Sequence, residues 1–313
     1  MGKLHCIDVN YKCISRYKYE HKLVIKGITM NENSVEILLL GAAQDASRPQ
    51  SGCSCDNCVT AREDPQEVEF PSSIAIIHHG EKCFWIIDAT PAFPSQLEMV
   101  KMTTEDYEFR GIFITHAHIG HYTGLMFLGK EVMNTHEVPV YVSASVGGFL
   151  SGNTPWSQLI EQRNIVLHTI VEEQPVQIVP DISVTGYFVP HRDEFADTFS
   201  FVIRGANRSL FYCPDIDRWE LWMHDLRTFL TDIDVALIDG TFYSADELPK
   251  DRISKVPHPT VMSSYELLEG ISGKVTFIHM NHTNPLYKEG KEKAWLLDSG
   301  FGVGRRGQRW QLS

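Results

Sequence analysis

Short apolar runs punctuate this chain at Val35–Leu40, Ile74–His78, Phe84–Asp88, Ile112–Thr115, Val138–Val142, Ile165–Ile170, Val184–Val189, Phe199–Ile203, Leu210–Cys213, Val235–Asp239 and Val275–His279. Several are rich in Val and Ile, the composition of buried strands. Helical periodicity falls between only some of them. It is clearest at Ser95–Met102, Tyr122–Met133, Trp219–Leu230 and Ser263–Ile271, the last opened by a serine cap. The early strands follow one another as in a meander, whereas the later ones alternate with helices. This order predicts an α/β fold, a layered sandwich with mixed sheets rather than a doubly wound parallel sheet. No repeat, low-complexity tract or linker interrupts it. Residues 1–313 therefore read as one domain, with 1–34 an N-terminal extension of uncertain structure.

Composition narrows the class. The chain has 313 residues, 43% of them hydrophobic, and 28 Lys+Arg against 40 Asp+Glu give a net charge of −12. A chain this long can bury a large core, and its composition excludes a disordered, collagen-like or disulfide-dense protein. The acidic balance disfavours nucleic acid and anionic membrane as partners. Met1–Asn10 lacks the apolar run of a signal peptide, and no stretch approaches 18 uninterrupted apolar residues. A cytoplasmic protein with a small-molecule substrate and no membrane attachment is expected, and a homodimer is compatible with these features. Seven cysteines, an odd number with a tight cluster, fit a reducing compartment better than a disulfide framework.

Two clusters carry chemistry. Gln44–Ser72 is a long stretch with little periodicity, and structureless loops of that length are usually functional or tied down. Within it, Cys53-Ser54-Cys55-Asp56-Asn57-Cys58 places three sulfurs where they can converge on one soft cation. A redox pair at Cys55 and Cys58 is the rival, but the motif does not follow a strand-to-helix turn in the expected pattern. Cys6, Cys13, Cys83 and Cys213 are scattered and read as small buried hydrophobes. The second cluster is His116, His118 and His121, directly after a strand. Three imidazoles in six residues build a poor core and a good metal site.

This strand–H-x-H-x-x-H–helix unit resembles the signature of the metallo-β-lactamase superfamily, metal-dependent hydrolases with an αβ/βα four-layer sandwich of two mixed sheets. The preceding Leu40-Gly41-Ala42-Ala43 with C-x-C-x-x-C resembles a branch of it. That branch holds the pyrroloquinoline quinone biosynthesis protein B and the cyclic phosphodiesterase PhnP. Further matching segments are Ile86–Ala89, Val189–Glu194, Tyr212–Asp215, Ile238–Phe242 and Ile278–Pro285. The resemblance implies a first metal position at His116, His118 and His191, with Asp215 as bridging carboxylate. It implies a second at His121 and His279, and a structural zinc at Cys53, Cys55, Cys58 and His282. A swap of His279 and His282 stays open.

One position departs from the pattern. The family has Asp before its third His, where this chain has Gly120. A second site without that carboxylate is expected to be weak, water-completed or empty, so one or two active-site divalent metals (zinc, manganese or iron) are expected. Asp88 and Asp239 end strands near the cluster, as catalytic carboxylates beside Asp215 and His279 or as hydrogen-bond partners of ligand imidazoles. Asp193 and Glu194 read as neighbours of the site or as surface, Arg192 as a contact for a substrate anion. His78 and His79 read as a surface pair, Trp219 and Trp222 as core, and Thr283–Pro285 as a turn. The resemblance implies hydrolysis of an ester or phosphodiester-type small molecule by a metal-bound hydroxide. The alternatives are a protein B-like non-haem-iron oxygenase in cofactor biosynthesis, since His121, Asp215 and His279 match a facial ligand set, and a non-catalytic metal-binding member.

Overall fold

The computed structural model describes residues 34–247 and 256–313. Its first sheet contains β1 (Val35–Gly41), β2 (Ser73–His78), β3 (Cys83–Ile87), β4 (Glu108–Phe113), β5 (Val138–Val142) and β6 (Ile165–Thr169). The second contains β7 (Pro175–Val179), β8 (Ile182–Phe188), β9 (Phe199–Arg204), β10 (Ser209–Cys213), β11 (Val235–Asp239), β12 (Val275–Ile278) and β13 (Gly302–Val303). A last strand, β14 (Arg309–Gln311), returns to the first sheet beside β1, giving the orders β14-β1-β2-β3-β4-β5-β6 and β7-β8-β9-β10-β11-β12-β13. Each sheet is antiparallel through β1–β3 or β7–β10 and parallel beyond.

The unbroken apolar character of these strands follows from burial on both faces. Along β1, Ile37 and Leu39 face the second sheet and pack in one core with Ile182, Val184 and Phe201. Leu38 and Leu40 point the other way, into a core shared with Phe93, Val146 and Leu159. Those come from α2 (Phe93–Lys101), α4 (Ala144–Gly152) and α5 (Trp156–Glu161). The outer face of the second sheet is covered in the same way. Phe211 and Phe277 pack there with Val261 and Leu268 of α7 (Val261–Leu268) and Leu296 of α8 (Lys291–Asp298). Helix, sheet, sheet, helix is the four-layer order expected. Cys83 and Cys213 are fully buried in strands, as read; Cys6 and Cys13, like the N-terminal extension, lie outside the described residues apart from Ser34.

Several local expectations need correction. Trp219–Leu230 is not one helix but two 3-10 turns flanking α6 (Leu226–Phe229), which Asp225 caps through Thr228 N. The indoles explain the break. Trp219 Nε1 donates to Ser264 Oγ at 2.9 Å and Trp222 Nε1 to Phe188 O at 2.7 Å, so both side chains are core. Tyr122–Met133 shortens to α3 (Ile119–Tyr122) and a 3-10 turn over Thr123–Leu128. There Gly124 lies so close to the chain after β3 that a Cβ would come within 2.6 Å of Phe93 Cβ. The cap of α7 is Thr260, with Ser263 returning the bond in a capping box. His78 is buried rather than on the surface, 3.1 Å from Asp181, and His79 bonds Tyr107 Oη at 3.0 Å.

The long loop is not structureless. It holds α1 (Asp56–Glu63), with Cys55 at its N-cap and Cys58 in its first turn. Arg48, only 1% exposed, ties the loop together by donating to Asn57 O at 3.1 Å and Glu67 at 2.9 Å. Ala43 forms bridges to both Pro71 and Met280, which fastens the start of the loop between the two halves of the molecule.

Candidate metal centre

The chemistry-bearing residues gather where the parallel strands end. Asp88 follows β3, His116–His121 follow β4, Asp215 follows β10, Asp239 closes β11 and His279 follows β12. Ligand sites in α/β sheets form at such carboxyl ends. Two of these residues hold left-handed backbone, Asp88 at φ 69° and His279 at φ 59°, a conformation uncommon for side-chain-bearing residues and concentrated at functional sites. Asp88 is pinned by accepting from Thr115 N at 2.8 Å and Thr115 Oγ1 at 2.9 Å, which also sets the start of the His cluster.

His116 Nε2, His118 Nδ1, His191 Nε2 and the Asp215 carboxylate converge on one point. His118 Nδ1 lies 2.9 Å from His116 Nε2 and 3.1 Å from His191 Nε2. Asp215 lies 3.4 Å from His116 Nε2 and 3.2 Å from His191 Nε2. Each ring is committed on its other nitrogen: His116 Nδ1 to Thr115 Oγ1 at 2.9 Å, His118 Nε2 to Glu194 at 3.2 Å and His191 Nδ1 to Asp217 at 2.8 Å. Those partners take the ring protons and leave three lone pairs pointing at each other. Hydrogen bonds cannot satisfy that arrangement; a cation can. Donors bonded to one zinc at about 2.0–2.2 Å stand about 3.3–3.6 Å apart at tetrahedral angles and about 2.8–3.1 Å apart at the right angles of five-coordination, and the spacings found span these two ranges. Burial, then the neighbouring His121, holds His116 well below the ordinary imidazole range, as suits a neutral ligand.

A second set adjoins the first. His121 Nε2 is 3.7 Å from Asp215 Oδ2 and His279 Nε2 is 3.5 Å from it. Here too the far nitrogens are held, His121 Nδ1 by Asp88 at 2.8 Å and His279 Nδ1 by Thr241 Oγ1 at 3.0 Å. The sequence reading did not include Asp45, yet its Oδ1 stands 3.3 Å from His121 Nε2 and 3.7 Å from His279 Nε2. His121 Nε2, His279 Nε2 and Asp45 Oδ1 are buried without hydrogen-bond partners, beside Asp215 Oδ2. Three orphaned polar atoms facing one point fit a metal ion better than any protein-only arrangement. Burial opposes a charge on His121, but Asp88 and Asp45 outweigh it and raise it well above its ordinary value.

His258 is the other residue missed. It contacts Asp239 at 2.8 Å and Asp215 at 3.3 Å through Nδ1. Burial opposes its protonation, but Asp239 and Asp215 push its pKa up to about 9. Its neighbours Pro257 and Pro259 give no ligand spacing, so only its arrival beside Asp215 marks it. Asp88 and Asp239, read as catalytic carboxylates or as hydrogen-bond partners of ligand imidazoles, are fully buried. Asp239 accepts from Ile216 N, Thr241 N and His258. Both place other side chains. Asp88→Asn is therefore expected to weaken metal binding at the second set by about 10- to 100-fold and at the first set less, since Asp88 reaches His116 only through Thr115, measured by competitive chelator titration. Arg192 and Asp193 line an open cleft with Phe188 and Thr198 at the rim of His191.

The cysteine motif closes with His282. Its Nδ1 stands 3.5 Å from each of Cys53, Cys55 and Cys58 Sγ. A tetrahedral zinc with ordinary bond lengths places sulfur and nitrogen about 3.5–3.6 Å apart. Of the two candidates, His282 stands at the cysteines and His279 at the second set. Asn57 Nδ2 donates to His282 O at 2.9 Å and Asn284 O at 3.1 Å, bracing the same junction. Asn284 caps the turn over Pro285–Tyr287, as read.

Fold and site together define a metallo-β-lactamase-type domain. The family model described as the beta-lactamase superfamily domain matches residues 85–285, and the chain belongs to that family. Among curated relatives, Coenzyme PQQ synthesis protein B of Azotobacter vinelandii is 26% identical over 304 residues, covering 87% of this chain and 98% of the relative. The Rhizobium meliloti protein of that name is 24% identical, covering 90% and 100%. In structure the chain is similar to Zn(2+)-bound PqqB from Methylobacterium extorquens, with TM-score 0.74 and 21% identity over 88% of this chain and 99% of that one. It is also similar to a diphosphatase from the PhnP family, with TM-score 0.63 and 18% identity over 89% and 97%. Among the described residues no helix is long and apolar enough to cross a membrane.

Proposed function

We propose that this protein is a metal-dependent hydrolase acting on an ester or phosphodiester-type small molecule. The supporting observation is the convergence of His116, His118, His191 and Asp215, with every ring committed on its far nitrogen. Zinc, manganese or iron bound there would supply Lewis acidity, lowering the pKa of coordinated water toward about 7. The chain's own residues supply placement. Asp215 Oδ2 lies between the two sets, 3.4 Å from His116 and 3.5 Å from His279, where a carboxylate can orient an attacking water. Arg192, half exposed at the cleft, offers a cation to an anionic substrate group. The net charge of −12 favours a small molecule over nucleic acid.

A second reading is an iron-dependent oxygenase of cofactor biosynthesis. Similarity across most of the chain to Coenzyme PQQ synthesis proteins B supports it. One paired assay separates the two. With manganese or zinc loaded, hydrolysis of bis(4-nitrophenyl) phosphate or a thioester is expected, and it should be lost in His191→Ala. Oxygen uptake with candidate peptides after anaerobic ferrous loading, without any hydrolysis, would overturn the first reading in favour of the second.

A further inference from the structure

The family pattern places a carboxylate immediately before His121, and this chain has Gly120 there. The volume that side chain would need is already filled. A Cβ built on Gly120 would overlap Asp45 Oδ1 and come within 2.6 Å of Asp45 Cγ and 2.8 Å of Asp45 Cα. Glycine at 120 and the approach of Asp45 are therefore one structural fact: with the backbone and side chain of residue 45 this close, position 120 has room for no side chain.

Asp45 is also aimed. Its Oδ1 is buried, has no hydrogen-bond partner, and faces the partnerless Nε2 atoms of His121 and His279. Its backbone is fixed independently of any ligand. Met280 N donates to Ala42 O at 2.9 Å, Gln44 N donates to Met280 O at 3.0 Å, and Ser47 N closes a turn onto Gln44 O at 2.9 Å. The segment carrying Asp45 is thus paired to the segment carrying His279, so the two side chains reach the site from adjoining backbone.

We propose that Asp45 is the carboxylate ligand of the second active-site metal, supplied from the loop after β1 in exchange for the side chain absent at position 120. The second site is then a full set of Asp45, His121, Asp215 and His279, not a weakened one. The exchange rests on the metal-binding reading above and adds a consequence to it. A second-site ligand now belongs to the loop that Cys53, Cys55 and Cys58 anchor, so the two metal centres share a support.

The test is metal content per chain and second-site affinity, by elemental analysis and cobalt titration with its visible spectrum, on the full chain. Asp45→Ala and the near-isosteric Asp45→Asn should each lose one metal equivalent or weaken second-site affinity by at least about 100-fold, with the first-site cobalt spectrum retained. Gly120→Asp alone should not add a metal, because Asp45 blocks it. Unchanged stoichiometry and affinity in both Asp45 variants would overturn the assignment. A wild-type chain with no metal outside the cysteine site would instead overturn the metal-binding reading itself, a different result.

Discussion

Replacing His116 and His118 together with alanine is expected to remove the first active-site metal and cut turnover at least about 10³-fold. Losing a single preorganised donor already costs other enzymes about 10²–10³-fold; this change removes two of four ligands. The protein should remain folded. Both side chains project from the loop after β4 toward the other imidazoles and Asp215. Removing them also relieves the crowding of lone pairs around His118 Nδ1. Metal analysis should show the cysteine-bound ion untouched, and the melting temperature should fall little. Loss of the cysteine-site metal in this variant would show the two centres to be dependent in a direction the geometry does not support.

Cys58→Ser is expected to have the largest effect on stability. Cys58 is buried in the first turn of α1, and its sulfur is one of three equidistant from His282 Nδ1. The site joins residues more than two hundred positions apart in the chain, and metal bound to the folded state alone stabilises it by mass action. At a metal concentration of about 1,000 times Kd this is about 4 kcal/mol, or about 6 °C of melting temperature for a chain of this length. The loop freed by the loss carries Asp45, so second-site metal should decline with it while the first site persists. Calorimetry with and without added zinc, read beside metal content, measures both effects. A Cys58→Ser protein that melts with the wild type would deny the cluster a structural role.

The strands were legible because burial on both faces makes them continuous apolar runs, and β1, β5 and β11 match the reading within a residue. The helical pattern at Trp219–Leu230 misled because the two indoles find hydrogen-bond partners on distant segments, and periodicity cannot register that. β7 and β14 lie at or near sheet edges with exposed positions and gave little apolar signal. In the site, the His cluster and the cysteines stood out because each is contiguous in sequence. Asp45 and His258 are single residues brought in by tertiary pairing. For Asp45 a clue did exist: a glycine where a carboxylate belongs invites a search for an acid elsewhere, and one follows β1 directly. His258 had none.

The central claim is that the imidazole-lined centre of this chain holds metal. Elemental analysis of the wild-type protein, purified without chelator and without a metal-affinity column, tests it most directly. The geometry predicts three divalent ions per chain, one at Cys53, Cys55, Cys58 and His282 and two shared among His116, His118, His121, His191, His279, Asp45 and Asp215. A single ion per chain, undiminished in the His116→Ala and His118→Ala double variant, would contradict it.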